Sequence, residues 1–186
     1  YKVKVRCSSD YSCNDIDATG VVVTVDQVPT TANVGTDIQQ CNNSSFTLAG
    51  NTPTVGTGLW TLQSGTATIT TPTSPTSGIT GVPTGSSVFL RWTISNGVCA
   101  SSFDEVTLTN YALPTTANAG TDINNCGNSS FTLAGNIPTI GNGLWTVQSG
   151  TATITTPTSP TSGVTGVPVN LSATLRWTIS NGNCTP

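Results

Sequence analysis

Residues 30–100 align without a gap on residues 115–185, and 55 of these 71 positions are identical. The offset is 85 residues throughout, so Cys41 corresponds to Cys126, Trp60 to Trp145, Arg91 to Arg176 and Cys99 to Cys184. A repeat of a few tens of residues is one supersecondary unit that needs stacked neighbours, whereas a repeat of this size can hold a small core of its own. The duplication therefore predicts tandem domains and not a solenoid.

The ends of the copies carry further information. After Cys99 the first copy continues as Ser102-Phe103-Asp104-Glu105-Val106-Thr107-Leu108-Thr109, an alternating pattern that leads to Pro114, whereas the second copy reaches Pro186 before any such strand. Upstream, Val21-Val22-Val23-Thr24-Val25 precedes Pro29 much as Val106 to Tyr111 precedes Pro114. The expected organisation is the C-terminal part of a preceding repeat over residues 1–28, a complete repeat over 29–113, and a next repeat over 114–186 that lacks its last strand. Such a chain would be a window on a longer array, with neighbouring repeats of the same chain as its partners.

Within one copy, short apolar runs rich in β-branched and aromatic residues alternate with Gly, Pro and Asn-Gly signals, and nothing sustains a helical 3.6-residue period. The class is all-β, with roughly six to eight strands per copy in a two-sheet β-sandwich of immunoglobulin-like order. Alternation turns Trp60 and Leu62, and Val88, Leu90, Trp92 and Ile94, inward, and leaves Thr, Gln, Phe89 and Arg91 outward. The expected core is Phe46, Leu48, Trp60, Leu90, Trp92 and Ile94 in the first copy and Phe131, Leu133, Trp145, Leu175, Trp177 and Ile179 in the second. The tryptophans are therefore read as core and not as sugar-stacking platforms, and Phe89 is the only aromatic expected to face outward. Asn96-Gly97 reads as a type I′ hairpin turn, which needs positive φ at both positions. Pro72 to Gly78 reads as a loop, since proline cannot donate to a strand ladder.

The chemistry open to the chain is limited by what it lacks. It has no His, which removes Ser/His/Asp and Cys/His catalysis and His-ligated zinc. Its 5 Lys and Arg against 8 Asp and Glu offer no basic face for phosphates, so neither nucleic acid nor an anionic membrane is an expected partner. No apolar run approaches the ~20 residues of a bilayer span, and Tyr1-Lys2-Val3-Lys4-Val5-Arg6 lacks the signal-peptide pattern. Glycoside hydrolysis would have to be built from Asp37 with Asp104 and Glu105, but Arg91 beside them favours a surface ion pair. A calcium site lacks its usual run of carboxylates. No enzymatic activity, cofactor or metal is expected.

Six cysteines without C-x-x-C spacing favour an oxidising, extracellular compartment. In each copy one cysteine precedes the Phe-Thr-Leu strand and the other follows the Asn-Gly turn, so the expected disulfides are Cys41–Cys99 and Cys126–Cys184, with buried free thiols as the alternative. Closing a loop of that length contributes roughly 4 kcal/mol in the chain-entropy account. Neither copy has a Lys for isopeptide cross-links and acids for bridging calcium are few, which leaves disulfides as the rigidifying device. Cys7 and Cys13 could close a hairpin, or Cys13, which aligns with the Cys99 position, could take a partner upstream of Tyr1.

Candidate ligand residues sit where the copies diverge. Pro83 to Phe89 and Pro168 to Thr174 differ at five of seven positions, which makes Thr84, Gly85 and Ser86, with their counterparts Val169, Asn170 and Leu171, the candidate loop for a surface polysaccharide. Relaxed packing demands would produce the same variation. Thr66 to Thr71 is similar to the T-x-T ladder of ice-binding faces, but one short strand per copy makes a poor ladder, and Thr is what an uncharged β surface uses. The N-x-S/T triplets at Asn43, Asn128 and Asn170 arise from composition alone.

Ala117-Asn118-Ala119-Gly120-Thr121-Asp122, Cys126, Phe131-Thr132-Leu133-Ala134-Gly135-Asn136, Gly143-Leu144-Trp145, Leu175 to Gly182 and Cys184 together resemble the PKD-like, immunoglobulin-like repeats of giant Bacteroidota surface proteins, the SprB-type gliding adhesins of flavobacteria among them. The resemblance covers residues 30–186. Tyr1 to Gln27, where Cys7 lies six residues before Cys13, resembles the end of a related but distinct repeat. The resemblance implies type IX secretion, display on a Gram-negative outer surface, and a role as adhesin stalk in an extended array. The alternative expectation is a glycan- or surface-binding module acting through the variable loops.

Overall fold

A computed structural model describes residues 25–184. Among these residues there are strands and no helix. The first copy holds Ile38–Cys41 (β1), Phe46–Thr47 (β2), Thr57–Ser64 (β3), Thr68–Ile69 (β4), Gly78–Thr80 (β5), Ser86–Ser95 (β6) and Ser102–Tyr111 (β7). The second holds Phe131–Thr132 (β8), Asn142–Ser149 (β9), Thr153–Ile154 (β10), Gly163–Thr165 (β11) and Thr174–Ser180 (β12). A four-stranded sheet β1-β7-β6-β3 and a three-stranded sheet β2-β5-β4 make up the first copy. The second repeats part of this as the pair β12-β9 and the sheet β10-β11-β8.

Alternation decides which face is core. In β6 the residues Val88, Leu90, Trp92 and Ile94 are buried and those between them are not. The β3–β6 register sets Trp60 opposite Trp92, with ring centroids 5.1 Å apart in a tilted arrangement, a geometry worth about 0.5–1.5 kcal/mol beyond the area buried. Val106 and Leu108 from β7 join them from the same sheet, and Phe46 and Ile79 from the other, in one core cluster. Apolar faces of two sheets sharing one core are consistent with a β-sandwich. The proline-rich segment is a loop as expected, and it lies over Trp60: the Pro72 carbonyl accepts from the Trp60 N–H (2.8 Å) and the Pro75 carbonyl from its Nε1–H (3.2 Å). Trp145 and Trp177 repeat the aromatic pair at 5.1 Å.

β7 closes the first copy with polar side chains as well as apolar ones. Asn110 is wholly buried and satisfied, donating from Nδ2 to the Val82 carbonyl (2.9 Å) and accepting at Oδ1 from the Asn43 N–H (2.9 Å). One residue therefore ties the β1–β2 and β5–β6 connections to the last strand.

Three expectations are corrected here. Phe131 and Leu175 are half-buried against the second core, whereas their counterparts Phe46 and Leu90 are buried; among the described residues no strand lies beside β12 as β7 lies beside β6. Asn96-Gly97 is not a type I′ turn, because only Gly97 of the two has positive φ (54°). The β6–β7 connection runs from Asn96 to Ser101, and the Asn96 side chain is engaged outside the hairpin. Phe89 is not the only outward aromatic: Phe103 is 56% exposed, with the Arg91 guanidinium over its ring at 4.1 Å.

Gly58 faces the Trp92 indole so closely that an added Cβ would overlap the ring. Gly58→Ala is expected to cost about 1–3 kcal/mol through overpacking, read as a lower urea midpoint by tryptophan fluorescence. An unchanged midpoint would contradict this packing.

Candidate functional site

The disulfide pairing expected from the sequence is overturned. Cys41 bonds to Cys184, 143 residues away, with the Cα atoms 5.1 Å apart, while Cys99 and Cys126 carry free thiols. Cys7 and Cys13 lie outside the described residues. The reason is where β1 lies along β7. It pairs parallel to β7 with Cys41 opposite Tyr111, at the far end of a ten-residue strand that begins at Ser102, just after Cys99. Nine steps at ~3.3 Å separate those ends by about 30 Å, whereas a disulfide needs Cα atoms within ~7 Å. Within a copy the two cysteines sit at opposite ends, so the bond forms between copies.

Around this bond the turn Asn181 to Cys184 of the second copy docks on the ends of β1 and β7 of the first. Asn181 Nδ2 donates to the Ala112 carbonyl (2.9 Å) and Asn183 Nδ2 to the Gln39 carbonyl (2.8 Å). The Cys184 N–H closes the turn on the Asn181 carbonyl (2.9 Å), and the Asn42 N–H donates to the Tyr111 carbonyl (2.8 Å). Gly182 has φ 56° and rests on the Tyr111 ring, where any Cβ would overlap the aromatic atoms. Cys184 is 2% exposed. Together these place one covalent bond, two inter-copy amide hydrogen bonds and a backbone-to-ring contact at a single joint. The copies share Asn at positions 96 and 181 and Gly at 97 and 182. That shared pair was legible as a hairpin signal, but its role in docking was not.

The other candidate residues are placed individually. Asp37 Oδ1 accepts from the Thr107 N–H (2.9 Å), Asp104 Oδ2 from the Val34 N–H (2.9 Å) and Asp104 Oδ1 from the Glu105 N–H (2.9 Å). Glu105 takes the Arg91 guanidinium, with Nε at 2.8 Å from Oε1, the surface ion pair expected, and partly exposed groups of this kind contribute ~0–1 kcal/mol. The three carboxylates are thus held by backbone N–H groups or by Arg91. Thr84 and Gly85 are exposed and Ser86 is half-buried; Val169 and Leu171 are exposed. The two loops share one turn, Ser86 N–H to Pro83 carbonyl and Leu171 N–H to Pro168 carbonyl, both 3.1 Å. Gly85 and Asn170 occupy its left-handed position, where those two residue types are best tolerated.

A cavity of ≈ 250 Å³ is lined by Ile123, Phe131, Trp145, Leu171 and Leu175 among others. Ile38, Phe46, Trp60 and Leu90, the counterparts of four of these, are core or core-packed in the first copy, so the cavity is the open flank of the second core. No protein-family model and no curated protein matches this chain.

Removing a native disulfide typically costs about 2–5 kcal/mol. Cys184→Ser is expected to lower the thermal midpoint accordingly, while Cys126→Ser, which breaks no bond, leaves it unchanged. Calorimetry of the two variants beside the parent checks this. Equal midpoints for Cys184→Ser and the parent would contradict the joint.

Proposed function

We propose that this chain forms structural stalk repeats of a large secreted cell-surface adhesin, tandem immunoglobulin-like, PKD-like sandwiches serving attachment and gliding motility. The observation that carries the reading is the Cys41–Cys184 bond, because it fixes one end of a copy to the opposite end of the next. A head-to-tail contact that does not close on itself propagates as a filament. The connection Tyr111 to Thr116 is short and holds Pro114, which stiffens it. A disulfide is compatible with an extracellular location, and no helix among the described residues is long and apolar enough to cross a membrane. Outer-surface display and type IX secretion follow from the family resemblance. The job is reach and display, without catalysis.

Each copy adds roughly 35–45 Å to the rod, from strands of about eight residues plus loops. Small-angle scattering of oxidised arrays of two, four and six copies is expected to give a maximum dimension that grows linearly by that increment. Growth as the cube root of mass would refute the stalk.

The second reading, a module that binds surface polysaccharide through Thr84, Gly85, Ser86, Val169, Asn170 and Leu171, draws support from the exposure of Val169 and Leu171 and the divergence of this turn between copies. A glycan array probed with the chain discriminates the two. The stalk expects no saturable binding, and saturable binding lost on Leu171→Ser would favour the module.

A further inference from the structure

We propose that Cys99 is the receiving half of a second joint of the same kind, which takes a disulfide from the Cys41-type cysteine of another copy of this repeat, and that Cys126 is the matching donating half. The inference rests on the stalk reading and names its coupling chemistry.

The turn that carries Cys99 is already seated as the turn that carries Cys184 is. Asn96 Nδ2 donates to the Gln27 carbonyl (2.8 Å) as Asn181 Nδ2 donates to that of Ala112 (2.9 Å). Gln27 and Ala112 are equivalent at the offset of 85 residues. The Cys99 sulfur lies 3.6 Å from the Asp26 carbonyl oxygen and the Cys184 sulfur 3.7 Å from that of Tyr111, again an equivalent pair. Gly97 is left-handed and packs against Asp26 as Gly182 packs against Tyr111, and the Val98 N–H adds a bond to Asp26 Oδ2 (3.2 Å). The seat is therefore built, and what differs is occupancy.

Two exposures mark the place of the partner. Val98 is 95% exposed, while its counterpart Asn183 reaches across to the Gln39 carbonyl of the neighbouring β1. Cys99 is half-exposed where Cys184 is 2% exposed under Cys41. The β1–β7 register, Cys41 opposite Tyr111, transfers by the same offset to a cysteine opposite Asp26. The chain carries the donating half as well: Ile123-Asn124-Asn125-Cys126 is the counterpart of Ile38–Cys41, with Cys126 exposed and no strand formed there. Closing the joint removes one hydrogen from each thiol, and the two electrons and two protons reduce a disulfide oxidant such as glutathione disulfide to two thiols.

The test uses the 186-residue chain with its Cys41–Cys184 bond intact, concentrated in a glutathione redox buffer and analysed by mass spectrometry of a non-reduced digest. Indifferent thiols would give mixed Cys99–Cys126 links at about twice the yield of either symmetrical link. The complementary joint expects the mixed link to exceed each symmetrical one by about tenfold or more, with a ladder of linked chains that Cys99→Ser abolishes. A statistical mixture, mainly symmetrical links, links from Cys99 to Cys7 or Cys13, or no links at all would each overturn the proposal. The internal Cys41–Cys184 peptide is read in the same digest, so failure of the stalk reading, which would show as loss of that peptide, is distinct from failure of this one.

Discussion

Along the edge of the four-stranded sheet, Ile38–Cys41 runs parallel to Leu108–Tyr111, and this pairing sets where each cysteine of a copy can go. A disulfide to Cys99 within the same copy would need Cys41 near Ser102, at the β6–β7 end of β7. The observed register places it beside Tyr111, at the other end of β7. The two cysteines of a copy thereby become its two termini, one offered by a strand end and the other by a turn. The Cys41–Cys184 bond between copies is the geometric consequence.

Comparison of the two copies isolates what β7 contributes. Where β7 is present, Ile38–Cys41 is a strand and thirteen apolar residues form one buried cluster. In the second copy, where the described residues hold no counterpart of β7, Ile123–Cys126 forms no strand and the buried cluster has five members. The two segments share Ile and Cys but differ at Gln39/Asn124 and Gln40/Asn125, and the second has no β7 among the described residues to pair with. β7 adds Val106 and Leu108 to the core that holds Leu90 and Phe46, satisfies the Asn43 N–H through Asn110 and gives β1 the ladder that holds Cys41 in place. β7 thus serves both the core of the copy and the position of its Cys41.

Much of this was legible in the sequence because local patterns report local environments. The alternation of Val88, Leu90, Trp92 and Ile94 named the buried face of β6, the Trp60 and Trp92 pair named the centre of the core, and the prolines at 72 and 75 named the loop that caps it. The failures share a cause: periodicity tells which way a side chain faces but not which strand lies beside it, nor in which direction. Parallel β1 was invisible for that reason, and with it the cysteine pairing. Asn96-Gly97 misled because its Asn serves a neighbour and not the hairpin. Phe131 and Leu175 have core-type sequence neighbours, yet no strand among the described residues packs beside them as β7 does in the first copy. Of the joint, the cysteines were identified as the chemistry that matters. Gln39, Tyr111, Asn181 and Asn183, which hold them in register, give no signal until the ends of the copies are known to meet.

Disulfide mapping of the chain tests the central claim most directly. The oxidised protein is alkylated without reduction, digested under conditions that suppress exchange, and its linked peptides are sequenced by mass spectrometry. In the monomeric chain the account predicts a peptide pair joining Cys41 to Cys184, with Cys99 and Cys126 recovered alkylated. Peptides joining Cys41 to Cys99, or Cys126 to Cys184, would contradict it, since Cys41 would then have to reach the far end of β7 and Cys184 would leave its place against Tyr111.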